Sequence, residues 1–389
     1  MDGFTQYDFD PGLIPTPGFV VDERLLGQNL SILSRLKDRT GCRILLALKC
    51  FAMFRTFGQL KTVLDGVCAS SPHEARLGRE SFGKEVHTFA AGYSESDILD
   101  LCRTTDHLVF NSFDQMSRFE PVVMKASADL KRAIRFGLRI NPEHSEGATP
   151  IYDPCAPGSR LGIRRAQFDP ERLSSVCGLH WHNLCEQDAD CLERTVAAAE
   201  QRFGEFFSGM DYINFGGGHH ITRQGYNLDL LEEIIIRFKE KWGVQVYLEP
   251  GEAVALNAGY LVATVLDVIE ADMPVAIMDA SVPAHMPDVI EMPYRPHIIG
   301  SDLPGKKPYT CRVGGPSCLA GDVAGEYSFD APLAIGSKLV FADMAIYSMV
   351  KTNTFNGVQL PAIALIKSGT REIDIVKTFG YSDFKSRLG

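Results

Sequence analysis

The 389-residue sequence lacks several features that would assign it to a common class of protein. Its ten cysteines form no C-x-x-C pair, which excludes the spacing of zinc ribbons and thioredoxins. With 39 Lys and Arg against 49 Asp and Glu, it lacks the positive charge of a general nucleic-acid or membrane-surface binder. It also lacks a signal-peptide pattern and any uncharged apolar run of the roughly 18 residues that span a bilayer. We therefore expect a cytoplasmic protein with reduced thiols, and its acidity is compatible with a cationic ligand.

Apolar segments typical of buried strands recur between residues 44 and 249, separated by helical patterns. Eight such segments are present: 44–52, 66–68, 86–89, 107–110, 137–140, 178–182, 212–215 and 246–249. Eight strands alternating with helices predict an α/β fold with a (β/α)8 barrel. After residue 255 the long helical patterns give way to short strands between Pro, Gly and Asp turns. The sequence thus predicts a barrel over residues 18–255 and a mostly β domain from residues 1–17 and 256–389.

Lys49 interrupts the first of these apolar segments. A strand that is apolar on both faces belongs to a parallel sheet covered on both sides, and barrel enzymes place their chemistry at the C-terminal strand ends. A desolvated amine at that position is a nucleophile toward a carbonyl group. The alternative is a lysine that extends to solvent and has no catalytic role.

Two further strand ends carry residues that suit a charged ligand. Gly216, Gly217 and Gly218 follow the seventh strand, where their backbone N–H groups could surround an anion such as a phosphate. The alternative there is a flexible turn. Glu249 ends the eighth strand, and a carboxylate inside the barrel mouth needs a cationic partner such as a pyridinium nitrogen. The alternative for Glu249 is a helix cap in a Pro-Gly turn.

His180 and His182 are two residues apart on the sixth predicted strand and so point to the same face. This spacing suits a metal ion, packed core histidines, or an imidazole stacked on a flat cofactor ring. A metal-dependent hydrolase barrel is therefore an alternative function, although its His-x-His pair ordinarily lies on the first strand.

Taken together, these motifs resemble the alanine-racemase-fold (fold type III) decarboxylases that use pyridoxal 5'-phosphate (PLP). The similarity includes the strand-end lysine, the three glycines, Glu249-Pro250-Gly251, Gly315-Pro316-Ser317-Cys318, and Tyr347 followed by Phe355-Asn356-Gly357. Within that family, the closer resemblance is to the carboxynorspermidine/carboxyspermidine decarboxylases. It rests on Ala-Leu-Lys-Cys-Phe-Ala-Met at 47–53, Asn-Pro-Glu-His-Ser at 141–145, Cys-Ala-Pro-Gly-Ser-Arg-Leu-Gly at 155–162 and His-Met-Pro-Asp-Val at 285–289.

The resemblance implies a role for each matching residue. Lys49 would bind PLP covalently, His182 would stack on its ring, and Glu249 would pair with the ring nitrogen. The remaining implied cofactor contacts are the phosphate-binding residues Gly217, Gly218, Gly251 and Tyr347, together with Arg139 on the fifth strand. Cys318 would reach the active site of a partner subunit and act where a carbon takes up a proton. The resemblance further implies a homodimer whose second domain contributes to shared active sites.

Departures from the family pattern bear on the substrate. Glu252 stands where relatives that act on diaminopimelate or ornithine have an arginine, which shifts the local preference from an anion to a cation. Asp288 and Glu291 fall where relatives build the substrate pocket, and Asp322 follows the Cys318 motif. Together these acids favour a carboxylated polyamine as the substrate. For Asp288 and Glu291, the alternative is a solvated loop.

The predicted function is therefore decarboxylation of carboxynorspermidine or carboxyspermidine, giving norspermidine or spermidine, with PLP as cofactor and without a metal. The sequence leaves three alternatives. They are a decarboxylase of another diamino acid such as diaminopimelate, the metal-dependent hydrolase, and a catalytically inactive relative that binds partners without PLP.

Overall fold

Short strands and helices alternate through much of the computed structural model, which describes residues 6–147 and 149–389. The first regular elements are strand β1 (Gly18–Asp22) and helix α1 (Glu23–Thr40). The chain folds as two compact units. One unit runs from Asn29 to Val254, and the other combines the residues before Asn29 with Ala255–Gly389.

The unit from Asn29 to Val254 contains a closed barrel of eight strands, which are parallel and follow one another in chain order. The strands are β2 (Arg43–Ala47), β3 (Gly66–Ala69), β4 (Glu85–Phe89), β5 (His107–Phe110), β6 (Arg135–Arg139), β7 (Val176–His180), β8 (Tyr212–Asn214) and β9 (Gln245–Leu248). The helices after β2 to β5 are α2 (Phe57–Leu60), α3 (Pro72–Leu77), α4 (Glu95–Thr104) and α5 (Phe113–Leu130). Helices α6 (Ala189–Phe207), α7 (Leu228–Trp242) and α8 (Glu252–Ala255) follow β7, β8 and β9.

Burial on both faces of the strands explains their sequence. Leu45 and Leu46 point to opposite faces of β2, yet both are fully buried. Helix α6 covers the barrel with one apolar stripe, because Leu192, Val196 and Phe203 recur at helical spacing and are all buried. The β6–β7 connection differs from the others, since its described residues contain only short 3-10 turns between the strands.

The other unit contains an eight-stranded sheet. Its later strands are β10 (Gly259–Glu270), β11 (Pro274–Met278), β12 (Tyr309–Gly314), β13 (Val323–Phe329), β14 (Lys338–Ala342), β15 (Ala362–Ile366) and β16 (Ile373–Lys377). Strand β1 lies between β10 and β15, and β14 also pairs with β10. The short helices of this unit are α9 (Val282–His285), α10 (Asp288–Glu291), α11 (Ser348–Lys351) and α12 (Tyr381–Lys385).

The predicted barrel and mostly β domain are confirmed. The predicted start of the barrel unit at residue 18 differs from the structure, because β1 pairs with β10 and β15 of the sheet instead of a barrel strand. Among the described residues, none of the helices combines the length and apolarity that a membrane crossing requires.

Candidate active site

Lys49 lies in a turn that begins directly after β2. The strand ends at Ala47, and the Cys50 backbone N–H donates to the Ala47 carbonyl oxygen over 3.1 Å. The lysine is therefore at the C-terminal barrel end, as the sequence predicted, but past the strand. Its side chain is exposed in this chain, whereas the sequence predicted a desolvated amine.

His182 is the imidazole closest to this amine, with 3.3 Å between its Nε2 atom and Lys49 Nζ. Its other ring nitrogen, Nδ1, accepts the Gly217 backbone N–H over 2.9 Å, which leaves Nε2 to carry the proton of a neutral ring. Burial and the neighbouring Lys49 charge hold the pKa of His182 well below its usual value. His182 thus presents an Nε2–H group to the lysine.

Arg139, the last residue of β6, holds the backbone of His182 in place. Its guanidinium donates to the His182 carbonyl oxygen over 2.7 Å and lies 4.6 Å from the centre of the Phe89 ring. Burial lowers the pKa of Arg139 to about 10. The structure therefore gives Arg139 a contact with the backbone of the predicted ring-stacking residue.

Glu249 follows β9 and is held by residues from two neighbouring strands. The Asn214 side-chain amide donates to Glu249 Oε1 over 2.7 Å, and His180 Nε2 lies 3.3 Å from Oε2. Burial alone would raise the pKa of Glu249, but the contacts with His180 and Asn214 bring it down to about 2. The carboxylate is therefore ionised at neutral pH and able to pair with a protonated ring nitrogen.

Asn214 is a site residue to which the sequence analysis gave no role. It ends β8, and its Oδ1 atom also accepts the Gly216 backbone N–H over 2.9 Å. The same side chain therefore joins the acid to the glycine loop. Its position at a strand end, two residues before the first of three glycines, was the available signal.

Close packing determines the shape of the glycine loop. A Cβ atom on Gly217 would lie 2.1 Å from the Glu249 carbonyl oxygen, so only glycine fits there. The Gly217 N–H already donates to His182, and Gly218 has a left-handed φ of +86°. The predicted phosphate contacts of Gly217 and Gly218 stay predictions.

The turns that carry Lys49 and Glu249 touch each other. The Ala47 N–H donates to the Pro250 carbonyl oxygen over 3.1 Å, and a Cβ atom on Gly251 would lie 2.5 Å from the Cys50 Cβ atom. Gly251 therefore lets the amine-bearing turn approach the acid-bearing turn, and its predicted phosphate contact is untested.

Glu252, predicted to bind a cationic substrate, has a histidine partner within the chain. Its Oε2 atom lies 3.1 Å from His220 Nε2. Burial opposes protonation of His220, but the hydrogen bond to Glu252 outweighs it and raises the His220 pKa. The sequence analysis missed this pair, although the two histidines directly after the glycines were visible.

Asp288 and Glu291, the other predicted substrate acids, belong to the unit that contains Ala255–Gly389 and share one lysine. Lys351 Nζ lies 2.5 Å from Asp288 Oδ1 and also contacts Glu291. Burial lowers the pKa of Lys351, but the two carboxylates outweigh it and raise the pKa. The two acids and Lys351 together carry one net negative charge.

Cys318, Asp322 and Tyr347 lie in the same unit. Cys318 is exposed, in the connection between β12 and β13. Asp322 is only 4% exposed, and both its carboxylate oxygens accept hydrogen bonds from Ser281 and Val282, which makes it a loop-holding residue in this unit. Its predicted contact with substrate has no geometric support. Tyr347 has a left-handed φ of +48° directly before α11.

The two histidines of the His-x-His pair contact different groups, His180 the acid and His182 the amine. Within the described ranges, the group with metal-ligand spacing is Glu85, His87 and His107, which includes neither of them. By contrast, the groups near Lys49 fit PLP in their chemistry. They are a primary amine for the aldehyde, an ionised carboxylate for the ring nitrogen and an imidazole beside the amine.

Comparison with known proteins gives a consistent result. The family described as "Pyridoxal-dependent decarboxylase, C-terminal sheet domain" matches residues 10–345. The chain is 43% identical over 378 residues to the carboxyaminopropylagmatine decarboxylase of Synechocystis sp., covering 97% of this chain and 96% of the relative. It is 39% identical over 386 residues to the carboxynorspermidine/carboxyspermidine decarboxylase of Campylobacter jejuni, covering 96% and 98%.

Solved structures resemble the whole chain. The crystal structure of carboxynorspermidine decarboxylase from Campylobacter jejuni, complexed with norspermidine, matches with a TM-score of 0.88 and 37% identity, covering 96% of this chain and 100% of the other. Diaminopimelate decarboxylase from Helicobacter pylori, complexed with L-lysine, matches with a TM-score of 0.81 at 17% identity, covering 97% of each chain. The latter likeness concerns the fold alone.

Proposed function

The chain belongs to the pyridoxal-dependent decarboxylases of the alanine-racemase fold, and from this membership we propose that it decarboxylates a carboxylated polyamine. The membership confirms the family predicted from the sequence motifs and identifies PLP as the cofactor. The observation that carries the proposal is the placement of Lys49, His182 and Glu249 around one site of the barrel.

In the proposed site, Lys49 would hold the cofactor covalently through its amine, and His182 would lie against its ring. Bound PLP supplies an electron sink for the electron pair released when the carboxylate leaves. Glu249, ionised and oriented by Asn214, holds a proton on the ring nitrogen and so keeps that sink effective. Arg139 fixes the backbone of His182. Cys318 of a second subunit would hold the proton that replaces the lost carboxylate.

Two substrate classes have specific support, and they differ in the cationic end of the tail. Two relatives, at 39% and 35% identity, are carboxynorspermidine/carboxyspermidine decarboxylases, whose substrates end in a primary ammonium group. The relative at 43% identity is a carboxyaminopropylagmatine decarboxylase, whose substrate ends in a guanidinium group. We propose the ammonium-ended substrates first, as the sequence motifs indicated, and the guanidinium-ended substrate as the second candidate.

A homodimer with shared active sites, located in the cytoplasm, completes the proposal. The family resemblance implies the dimer, and Cys318 and Lys49 lie in different compact units of this chain. The ten cysteines are free, which suits a reducing compartment.

A turnover assay tests the proposal directly. The purified, PLP-loaded protein is incubated separately with carboxynorspermidine, carboxyspermidine, carboxyaminopropylagmatine and diaminopimelate, and products are identified by mass spectrometry. We expect polyamine formation with a carboxylated polyamine at a kcat/KM far above that for diaminopimelate. Turnover of diaminopimelate alone would reject the substrate class.

Lys49→Ala serves as the matched variant in that assay. It should lose both turnover and the visible absorbance of covalently held PLP, whereas Lys61→Ala, which changes an exposed lysine, should keep both. If the absorbance band survives in Lys49→Ala, a different residue holds the cofactor.

A further inference from the structure

The loop that carries Cys318 is fixed at two points. At its base, the buried Asp322 carboxylate accepts the Ser317 N–H over 3.1 Å and also binds Ser281 and Val282. At its tip, the Cys318 backbone N–H donates to Asn356 Oδ1 over 2.9 Å. The base is therefore held by a residue of the loop itself, whereas the tip depends on a side chain from a distant part of the chain.

Asn356 belongs to a short turn whose internal hydrogen bonds include the Phe355 N–H to Asn353 Oδ1 and the Val358 N–H to the Phe355 carbonyl oxygen. Both Asn356 and Gly357 adopt left-handed φ angles, +56° and +73°, and the turn is closed by the Gly357 N–H donating to the Thr354 carbonyl oxygen over 3.0 Å. Phe355, Asn356 and Gly357 are all exposed. These local hydrogen bonds close the turn, but its exposed residues can shift unless another element packs on them.

The C-terminal segment packs on this turn. Helix α12 is capped by the Gly380 N–H donating to Asp383 over 2.8 Å, and it directs Phe384 onto Gly357. A Cβ atom built on Gly357 would lie 3.5 Å from Cζ of the Phe384 ring. Arg387 donates to Thr354 Oγ1 over 2.7 Å. A small cavity of about 210 Å³ lies between the turn and the segment.

We propose that the C-terminal segment, residues 379–389, is a positioning element for Cys318 that acts through Asn356. Phe384 and Arg387 hold the 354–357 turn, the turn orients the Asn356 amide, and the amide fixes the tip of the Cys318 loop. The inference rests on the proposed function in one respect, namely that the fixed thiol donates a proton during turnover.

The test measures the mobility of the Cys318 loop separately from activity. The PLP-loaded protein receives a short pulse of iodoacetamide, and alkylation of Cys318 is quantified by peptide mass spectrometry relative to Cys185, an exposed thiol of the other unit. The variants are Phe384→Ala, Arg387→Met and Asn356→Ala. Asn356→Asp keeps an acceptor oxygen as the conservative rescue, and Leu388→Ala changes a tail residue that is 71% exposed as the control.

We expect Phe384→Ala and Asn356→Ala to raise the Cys318 alkylation rate about fivefold, the factor that one lost hydrogen bond supplies. Arg387→Met should raise it less, and Asn356→Asp and Leu388→Ala should match the wild type. The kcat value should fall in the same order, with KM nearly unchanged. Arg387→Met keeps the test decisive if Phe384→Ala does not fold.

Two negative results have different meanings. If Cys318 alkylation is unchanged in Phe384→Ala, Arg387→Met and Asn356→Ala while the wild type turns over substrate, the positioning role is overturned. If alkylation follows the expected order but the wild type decarboxylates none of the candidate substrates, the proposed function fails and the contact between tail and loop stands.

Discussion

The charge of Glu249 depends on side chains that end two other strands. Asn214 donates to one carboxylate oxygen and His180 lies beside the other, so the acid stays ionised although it is buried. Neutral glutamine cannot hold a proton on a ring nitrogen in the same way. We expect Glu249→Gln to lower kcat about a hundredfold or more, the usual cost of one lost charge-stabilising contact.

The measurement for Glu249→Gln is steady-state kinetics together with a PLP titration of the cofactor-free protein. PLP affinity should change much less than kcat, because Lys49 still provides the covalent attachment. Asp272→Asn, which neutralises an exposed acid in the other unit, is the control. A kcat near the wild-type value would show that Glu249 does not support the ring nitrogen.

Asp288 and Glu291 test the preference for a cationic tail. Lys351 binds both acids, so neutralising either leaves the three groups with no net negative charge for a substrate cation. We expect Asp288→Asn and Glu291→Gln each to raise KM about tenfold, near the size of one charge-assisted hydrogen bond, with kcat unchanged. Initial rates over a range of substrate concentrations measure this, and unchanged KM in both variants would remove these acids from the substrate pocket.

At the scale of elements, the glycine loop that follows β8 packs closely against the residue that follows β9. Because a Cβ atom on Gly217 would lie 2.1 Å from the Glu249 carbonyl oxygen, Gly217→Ala must push the two connections apart. We expect it to destabilise the protein by about 1–3 kcal/mol, the range for overpacking at a buried site. Urea unfolding measures this, and Gly92→Ala is the matched control, since nothing lies within 4 Å of its added Cβ. Equal midpoints for the two variants would contradict this account.

The sequence predicted the positions of the barrel strands better than it predicted which strands pair. The eight barrel strands were recognisable because strands buried on both faces, such as the one around Leu45 and Leu46, must be apolar throughout. Their order then put Lys49 and Glu249 at the same barrel end. The predicted barrel range began at residue 18 and so included β1, yet β1 pairs with β10 and β15 of the sheet.

The side-chain pairs inside the site could not be predicted from the sequence. Asn214 is 35 residues from Glu249, and His220 is 32 residues from Glu252. Their contacts depend on which strand ends become neighbours and on the conformation of each loop. From the sequence alone, Glu252 was therefore expected to bind substrate. In the folded chain it contacts His220.

At the scale of the whole molecule, a buried polar cluster makes the barrel sensitive to acid. The rings of His87 and His107, from adjacent strands, are stacked with centres 4.0 Å apart. Burial and the charge of His87 lower the pKa of His107 to about 2, against 6.5 in the unfolded chain. The unfolded state therefore binds one more proton between these values, so the stability that a neutral His107 contributes is fully present above pH 6.5 and decreases as pH falls.

We expect the free energy of unfolding to depend less steeply on pH in His107→Gln than in the wild type. A difference of one bound proton between the unfolded and folded states changes the free energy of unfolding by about 1.4 kcal/mol per pH unit. Between about pH 7 and pH 5 this amounts to roughly 2 kcal/mol. Urea unfolding at both pH values measures the difference, and His73→Gln, at an exposed position in α3, is the control. Equal pH slopes for His107→Gln and the wild type would mean that His107 is not held neutral.

Whether active sites are shared between subunits can be tested by mixing two inactive variants. Lys49→Ala removes the amine of one compact unit, and Cys318→Ala removes the thiol of the other. If each active site takes Lys49 from one subunit and Cys318 from the other, a mixed dimer contains one site with both residues intact. Random reassortment of equal amounts should then restore about one quarter of wild-type activity.

The activity of mixtures across a range of ratios, with the mass of the assembly from sedimentation equilibrium, measures this. Mixtures that stay as inactive as their components would place both residues of each site in the same subunit.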